Sequence, residues 1–447
     1  MKKQYSLKGK KSFIFFLLLI SAMFIAVLVI VPFNGAPDES MRYDIAYYIY
    51  KHGELPRGDD PEIINKTWGI SYGFTPINSY IFSAFLMKTF SFLGGAEENL
   101  LYVARMISVL FSIGTVIFCM RIAWKLFEGI YRWLFVILVS LLPEFIYISG
   151  YVNCDSMALF TVAWIIYALL LGKEQKWSLK NCIFLGGGIG LCLLSYYNAY
   201  GVILIAVIYS IASVLQDKEI NNKGKFIFIR FMWVFLVSFA IAGWWFVRNA
   251  ILYNGDILGL SASSQCGEKN AIEAYKPSNR ETPYKLGYSL KYMLFDMGWI
   301  ELSKNSFVAA FGYMQYFLEQ WYYNLYYYIV GFGIVGCLIG SVFSRIVKKK
   351  SVVEKEERNT LFWLCMAGVC VITIGISIYY SYFNDYQPQG RYCMPMLISL
   401  ALLLTKGISN IGLYFHDYIG KTCAYLICLY MFFVALTAMS CSIMMVY

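Results

Sequence analysis

Residues 13–33 read FIFFLLLISAMFIAVLVIVPF, a stretch without a single charge. As a helix rising 1.5 Å per residue, it reaches across a hydrocarbon core of about 30 Å. Lys2, Lys3, Lys8, Lys10 and Lys11 stand before it. A basic start and an apolar run also mark secretory leaders. This run is too long for a leader's core, and no small-x-small cleavage site precedes Asp38, so it reads as an uncleaved first span.

Comparable runs recur along the chain. Of 447 residues, 59% are hydrophobic and 14% charged, where a soluble protein carries roughly a quarter. The mean hydropathy is +0.58. The class is an all-α, polytopic transmembrane bundle. A window of about 19 residues places eleven spans near 13–33, 101–122, 132–150, 155–172, 181–196, 199–216, 227–247, 322–344, 360–380, 392–408 and 422–445. Pro76–Phe92 is interrupted by Asn78, Ser79 and Lys88 and reads as a helix lying at the outer interface. Ser195–Asn198 break the apolar block 181–216 into two spans joined by a tight turn.

The charges test this topology. The N-terminal lysines with segments 121–132, 173–180, 217–230, 345–358 and 406–421 hold 23 basic and 8 acidic residues, a net of +15. The other side holds 14 and 19, a net of −5. Basic residues collect on the cytoplasmic side of membrane proteins, so the expectation is N-terminus in and C-terminus out. The chain's +10 is then mostly topology and calls for no nucleic acid. The chain reads as one transmembrane domain, 1–447, with outer stretches at 34–100 and 248–320 and no separate soluble domain.

The 12 cysteines sit mostly inside apolar runs, with neither a Cys-x-x-Cys pair nor zinc spacing, and read as small packing residues. With only His52 and His416, a histidine-rich metal site is excluded. Gly186-Gly187-Gly188-Ile189-Gly190 lies inside an apolar span without a preceding strand. Like Gly336 and Gly340, it reads as close helix packing. The many aromatics read partly as an interface belt and partly as a cavity lining for a sugar or isoprenoid.

The costly polar residues gather at the outer ends of spans. Asp38, Glu39 and Arg42 follow the first span; Arg105 begins the second; Glu144 and Asp155 flank the third-to-fourth turn; Arg248 follows the seventh; Asp385 and Arg391 stand between the ninth and tenth. Intramembrane and membrane-edge ionisable groups are functional candidates. Asp38, after Pro37, reads either as a helix cap or as a base that removes an acceptor's hydroxyl proton, beside Glu39. Asp155 reads either as a cap or as a partner of Asp38. That partnership would orient the acceptor or share a divalent cation, Mg or Mn. Arg42, Arg105, Arg248 and Arg391 suit phosphate oxygens, which a guanidinium binds in a bidentate way. The alternatives are salt bridges, snorkelling or, for Arg105, helix pairing. His52 reads as a surface residue.

These motifs, in this order, resemble the GT-C glycosyltransferases, the group of protein mannosyltransferases and aminoarabinose transferases. Asp38-Glu39 is similar to their acidic pair. Tyr72-Gly73-Phe74-Thr75-Pro76 to Tyr80 is similar to their Pro-containing segment, and Ala104–Ser108 to the Arg-containing start of their second span. Asn153-Cys154-Asp155-Ser156 resembles their second acidic motif. Gln389-Gly390-Arg391-Tyr392 with Pro395 resembles a motif of predicted bacterial membrane proteins placed near them. The resemblance runs from about residue 13 to 400. It implies a polyprenyl-phosphate-linked sugar donor, Asp38 as base, Asp155 as its assistant and Arg248 and Arg391 on the donor phosphate. Many members carry a lysine in the turn where this chain has Tyr196, so one expected cation is missing. Without the soluble C-terminal domain of some members, acceptor recognition would rest on the outer loops.

The leading expectation is transfer of a sugar from a polyprenyl phosphate to an acceptor hydroxyl on a glycan, lipid or protein at the outer face of the plasma membrane. A transporter or a lipid or polysaccharide flippase is the alternative, and would need paired polar groups at mid-membrane depth or matched broken helices. A non-catalytic assembly protein is a third class.

Overall fold

The computed structural model describes residues 7–346 and 360–444. Lys2 and Lys3, most of the basic segment 345–358 and the last residue of the span expected at 422–445 lie outside the described residues. Every regular element described is helical, and one isolated bridge pairs Phe311 with Tyr316. The expected all-α architecture holds.

In chain order the helices are α1 (Leu7–Ile30), α2 (Glu39–His52), α3 (Asn78–Phe92), α4 (Leu100–Leu126), α5 (Ile130–Ser140), α6 (Pro143–Ile148), α7 (Asp155–Glu174) and α8 (Leu179–Leu193). They continue with α9 (Tyr200–Gln216), α10 (Lys223–Leu252), α11 (Leu260–Asn270), α12 (Trp299–Val308), α13 (Gln320–Ile346), α14 (Thr360–Phe383), α15 (Leu397–Tyr414) and α16 (Asp417–Met444). Nine of the described helices, α1, α4, α7, α9, α10 and α13 to α16, are long and apolar enough to cross a membrane. The shorter apolar α5 and α8 stand where the third and fifth spans were expected. The third is not continuous. It breaks at Leu141–Leu142, and Pro143 restarts it as α6, because a proline's missing N–H costs nothing in the first turn of a helix. The turn expected in the 181–216 block falls at Leu194–Ala199.

Small residues let the spans close up. A methyl group on Gly407 of α15 would lie 1.8 Å from the Gly333 carbonyl of α13, so these two backbones touch. Gly186 and Gly190 of α8 likewise face Val237 and Ile241 of α10, which is the packing role expected of that glycine run. Above the main core, α2 and α3 pack on each other and α3 on α4. Ile45, Tyr80, Met87, Ala104, Met157 and Trp245 form a second apolar cluster beneath them. The stretch 253–319 is fastened to the loop after α14 by Arg280–Asp385 (3.8 Å) and by the Tyr284 N–H on the Tyr382 carbonyl (3.2 Å).

Candidate functional site

The site grows from the turn that ends α1. Pro32 cannot continue the helix, and the chain reverses through Asn34 (φ 58°) to Asp38 (φ 61°), both left-handed. That conformation is uncommon outside glycine and is tolerated best by Asn and Asp. It frees Asp38 from capping: its side chain makes no cap bond to α2. Asn34 serves there instead, accepting the Ser40 N–H on Oδ1 at 3.2 Å.

Glu39 and Arg105 are both fully buried and hold each other in a bidentate pair, Nε to Oε1 and Nη2 to Oε2, each at 2.7 Å. Arg105 spends its other donors on the carbonyls of Leu28, Val31 and Pro32. A guanidinium has five N–H groups, and all five are engaged. Glu39 also accepts the N–H groups of Asn34 and Val152. The structure therefore gives Arg105 no donor for a phosphate and leaves Glu39 no unengaged oxygen. Together they weld α1, α2, α4 and the turn before α7.

Asp38 is different. It keeps 27% side-chain exposure while its Oδ2 accepts Arg391 Nη2 at 2.8 Å and the Tyr72 hydroxyl at 2.9 Å. Burial pulls the carboxyl upward, but Arg391, then Arg42, and the bonds from Arg391 and Tyr72 outweigh it, so its pKa lies below the usual value. Arg42, itself buried, stands between two carboxylates. Its Nη1 is 3.2 Å from Asp155 and its Nη2 4.0 Å from Asp38, with the Tyr72 ring 4.8 Å from its carbon. Asp155 does not cap α7. Asn153 takes the Ser156 N–H there, at 2.9 Å, and leaves Asp155 to Arg42.

Arg391 arrives from a turn of 3-10 helix, Gly390–Met396, that precedes α15. The Gly390 N–H donates to the Ser306 hydroxyl of α12 at 2.7 Å, which fixes where the next residue points. Arg391 rests 5.2 Å from the Tyr392 ring, and the Tyr392 hydroxyl donates to Gln387. Tyr196 stands just before the 3-10 turn Tyr197–Ala199, which packs against the turn that carries Arg391, and so joins the cluster. Around it, the Ala310 N–H donates to Glu144 (3.1 Å), the Tyr147 hydroxyl to the Gly35 carbonyl (2.9 Å), and the Tyr313 hydroxyl to Asn34 (2.8 Å). The second outer stretch is thereby stitched over the first.

The structure thus gathers Asp38, Arg42, Asp155, Arg391 and Tyr196. Arg248 goes elsewhere: its Nη2 donates to the Pro56 carbonyl at 2.7 Å, and its carbon sits 5.2 Å from the Trp245 ring. His52 pairs with Glu62 at the surface, as expected. Sequence reading missed Tyr72 and Tyr392, although both stand inside motifs it quoted. Among the described residues, three buried guanidinium atoms lack a partner: Arg42 Nε, Arg391 Nε and Arg248 Nη1. As they stand, Asp38 and Asp155 do not fit a shared Mg or Mn ion. Arg42 occupies the position between them, and no group of three or more His, Cys, Asp or Glu comes together among the described residues.

Residues 95–254, from just before α4 to just after α10, match the family model of dolichyl-phosphate-mannose-protein mannosyltransferases. The whole bundle is similar to the oligosaccharyltransferase of Archaeoglobus fulgidus tethered with an acceptor peptide. The TM-score is 0.54 at 14% identity, over 99% of this chain and 55% of that one. The chain has the GT-C glycosyltransferase fold. Another structure with this GT-C fold is the archaeal oligosaccharyltransferase AglB from Archaeoglobus fulgidus in complex with an inhibitory peptide and a dolichol-phosphate. It gives 0.52 at 13% identity, over 99% and 56% of the two chains. ArnT from Cupriavidus metallidurans bound to undecaprenyl phosphate gives 0.41 at 13% identity, over 91% and 78%. The chain spans about half the length of the oligosaccharyltransferases it matches. No curated protein matches it by sequence.

Proposed function

We propose that this chain is a membrane glycosyltransferase that moves a sugar from a polyprenyl-phosphate donor to an acceptor hydroxyl at the outer face of the plasma membrane. One observation carries the reading: an ionised, partly exposed carboxylate at the end of the first span, flanked by buried guanidiniums that each keep an unpartnered Nε. Asp38 takes the proton of the acceptor hydroxyl. The acceptor oxygen bonds to the anomeric carbon, the bond from that carbon to the phosphate oxygen breaks, and the polyprenyl phosphate leaves with the added negative charge. Direct displacement inverts the sugar carbon. Arg391 meets the developing charge through its free Nε, and Arg42 keeps Asp155 and Asp38 oriented. No step is routed through a metal.

The family model names lipid-phosphate mannose chemistry over 95–254, and the solved neighbours hold a dolichol-phosphate and an acceptor peptide. A shallow apolar trough of about 330 Å³ on α10, lined by Phe235, Phe239, Phe246 and Val247, offers a bed for an isoprenoid chain. Arg248, with its free Nη1, stands at the outer end of that helix. The test is transfer in membranes supplied with a polyprenyl-phospho-sugar. Asp38→Asn is expected to abolish it while the protein remains inserted, and normal transfer by that variant sinks the assignment of the base.

A further inference from the structure

Between the two outer stretches lies a polar cavity of about 810 Å³. Its walls come from residues 57–74 and from 252–270, the end of α10 through α11. The 3-10 turn Tyr72–Phe74 divides it from the Asp38 cluster. Tyr72 sends its hydroxyl to Asp38, and Phe74, two residues on, lines the cavity. The walls are braced against each other. The Gly58 N–H donates to the Tyr253 hydroxyl at 2.8 Å, and the Ser71 hydroxyl donates to the Gly58 carbonyl at 2.7 Å.

The lining carries three cations, Arg57, Lys66 and Lys269, and two carboxylates, Asp59 and Asp256. Arg57 holds Asp59 through bonds of 2.9 and 3.1 Å. Asp256 accepts the N–H groups of Gly259 and Ala262 at 3.0 and 2.9 Å. That leaves Lys66 and Lys269, one from each outer stretch, with no hydrogen bond or ion pair among the described residues. Asn254 and Gln265 keep unengaged amides beside them. Phe74 is 1% exposed and packs behind Tyr253, ring centroids 5.2 Å apart, so Tyr253 is the ring of that pair that a ligand can reach. The volume falls in the range of small-molecule sites, roughly 300–1,000 Å³.

We infer that this cavity binds the acceptor of the transfer reaction, and that the acceptor is a short acidic oligosaccharide. A sugar sets a C–H face against the Tyr253 ring and its hydroxyls against the amides, and its carboxylate or phosphate answers Lys66 and Lys269. A peptide of acidic residues answers the lysines and the amides but offers the Tyr253 ring no flat C–H face. Calling the ligand an acceptor rests on the transferase reading; the binding itself does not.

The test is titration of the full-length protein in detergent, at low salt, with trigalacturonate, glucose 6-phosphate, neutral maltotriose and triglutamate. The expected result is binding of trigalacturonate or glucose 6-phosphate, according to which acidic group is read, at least about tenfold tighter than maltotriose or triglutamate. The Lys66→Gln/Lys269→Gln double variant loses about tenfold in that affinity. Lys291→Gln, an exposed lysine outside the cavity, keeps it. Equal binding of maltotriose or triglutamate, failure of both acidic sugars, or wild-type affinity in the double variant overturns the inference. The two readings fail separately. If Asp38→Asn abolishes transfer while the double variant keeps its acceptor KM, the cavity assignment falls alone. If acidic sugars bind through the lysines but Asp38→Asn transfers normally, the base falls alone.

Discussion

At the residue scale, burial raises the Asp38 carboxyl while Arg391 and Arg42 lower it, and the arginines prevail. The side chain is therefore ionised at neutral pH, and the charged form that the proposed base needs persists below the ordinary aspartate value of about 3.9. The sign follows directly. A depressed carboxyl loses its charge only when the pH falls through the folded pKa, so the acid limb of kcat/KM should lie below that value. Arg391→Gln removes the largest lowering influence and leaves burial opposed only by Arg42 and the Tyr72 hydroxyl, so the limb should move to higher pH. An acid limb that does not move in Arg391→Gln would refute this coupling. Asp38→Asn should cost about 10²–10⁴ in kcat, the range of a general base, measured in membranes with saturating donor. Arg42 fills the place a divalent cation would take between Asp38 and Asp155. EDTA should therefore leave the rate unchanged, and a loss restored by Mg or Mn would show that Arg42 yields that place. Much of this residue set was legible because carboxylates and arginines at span ends are rare. Tyr72 and Tyr392 were not, because among 38 tyrosines no pattern separates a hydroxyl aimed at a carboxylate from one in an interface belt.

At the element scale, two contacts hold the site in shape. The buried Glu39–Arg105 pair joins α1, α2 and α4, and removing one partner of such a pair costs about 3–5 kcal/mol. Arg105→Leu should lower the melting temperature in detergent and the yield of inserted protein; an unaltered melting curve would contradict a structural post for Arg105. The turn carrying Arg391 is set by a close approach. A methyl group at Gly390 would meet the Phe307 nitrogen at 2.0 Å and the Ser303 carbonyl at 2.4 Å. Gly390→Ala should push that turn off α12, carry Arg391 away from Asp38 and reduce transfer at least about tenfold, with Asp38's acid limb shifted upward as in Arg391→Gln. A full-rate Gly390→Ala enzyme would show that the turn tolerates the shift. The sequence placed Arg391 in a motif but gave no sign of α12 behind it. Ser306 lies more than eighty residues upstream, and local pattern carries no information about that contact.

At the scale of the whole molecule, the charge balance predicts the sidedness on which the transfer and acceptor proposals depend. A tag inserted at Asn254-Gly255 should be reached by antibody on intact cells, and one at Asn221-Asn222 only after permeabilisation. The reverse pattern would place Asp38 on the cytoplasmic side. What the sequence by itself determined follows from solvent: lipid demands long apolar helices, and the cost of burying charge drives ionisable residues to span ends, so class, approximate spans and the acidic turn after the first span were readable from composition and period. The break of the third span at Pro143 needed the structure, because the apolar pattern runs on through it. So did the sorting of four candidate cations and carboxylates into one cluster, with Arg105 sealed into a structural pair and Arg248 turned to Pro56. A charged side chain at a span end has the same local sequence whether it is saturated by carbonyls or left with a free donor. Only the positions of partners distant in the chain decide which, and those positions are fixed by how the helices pack.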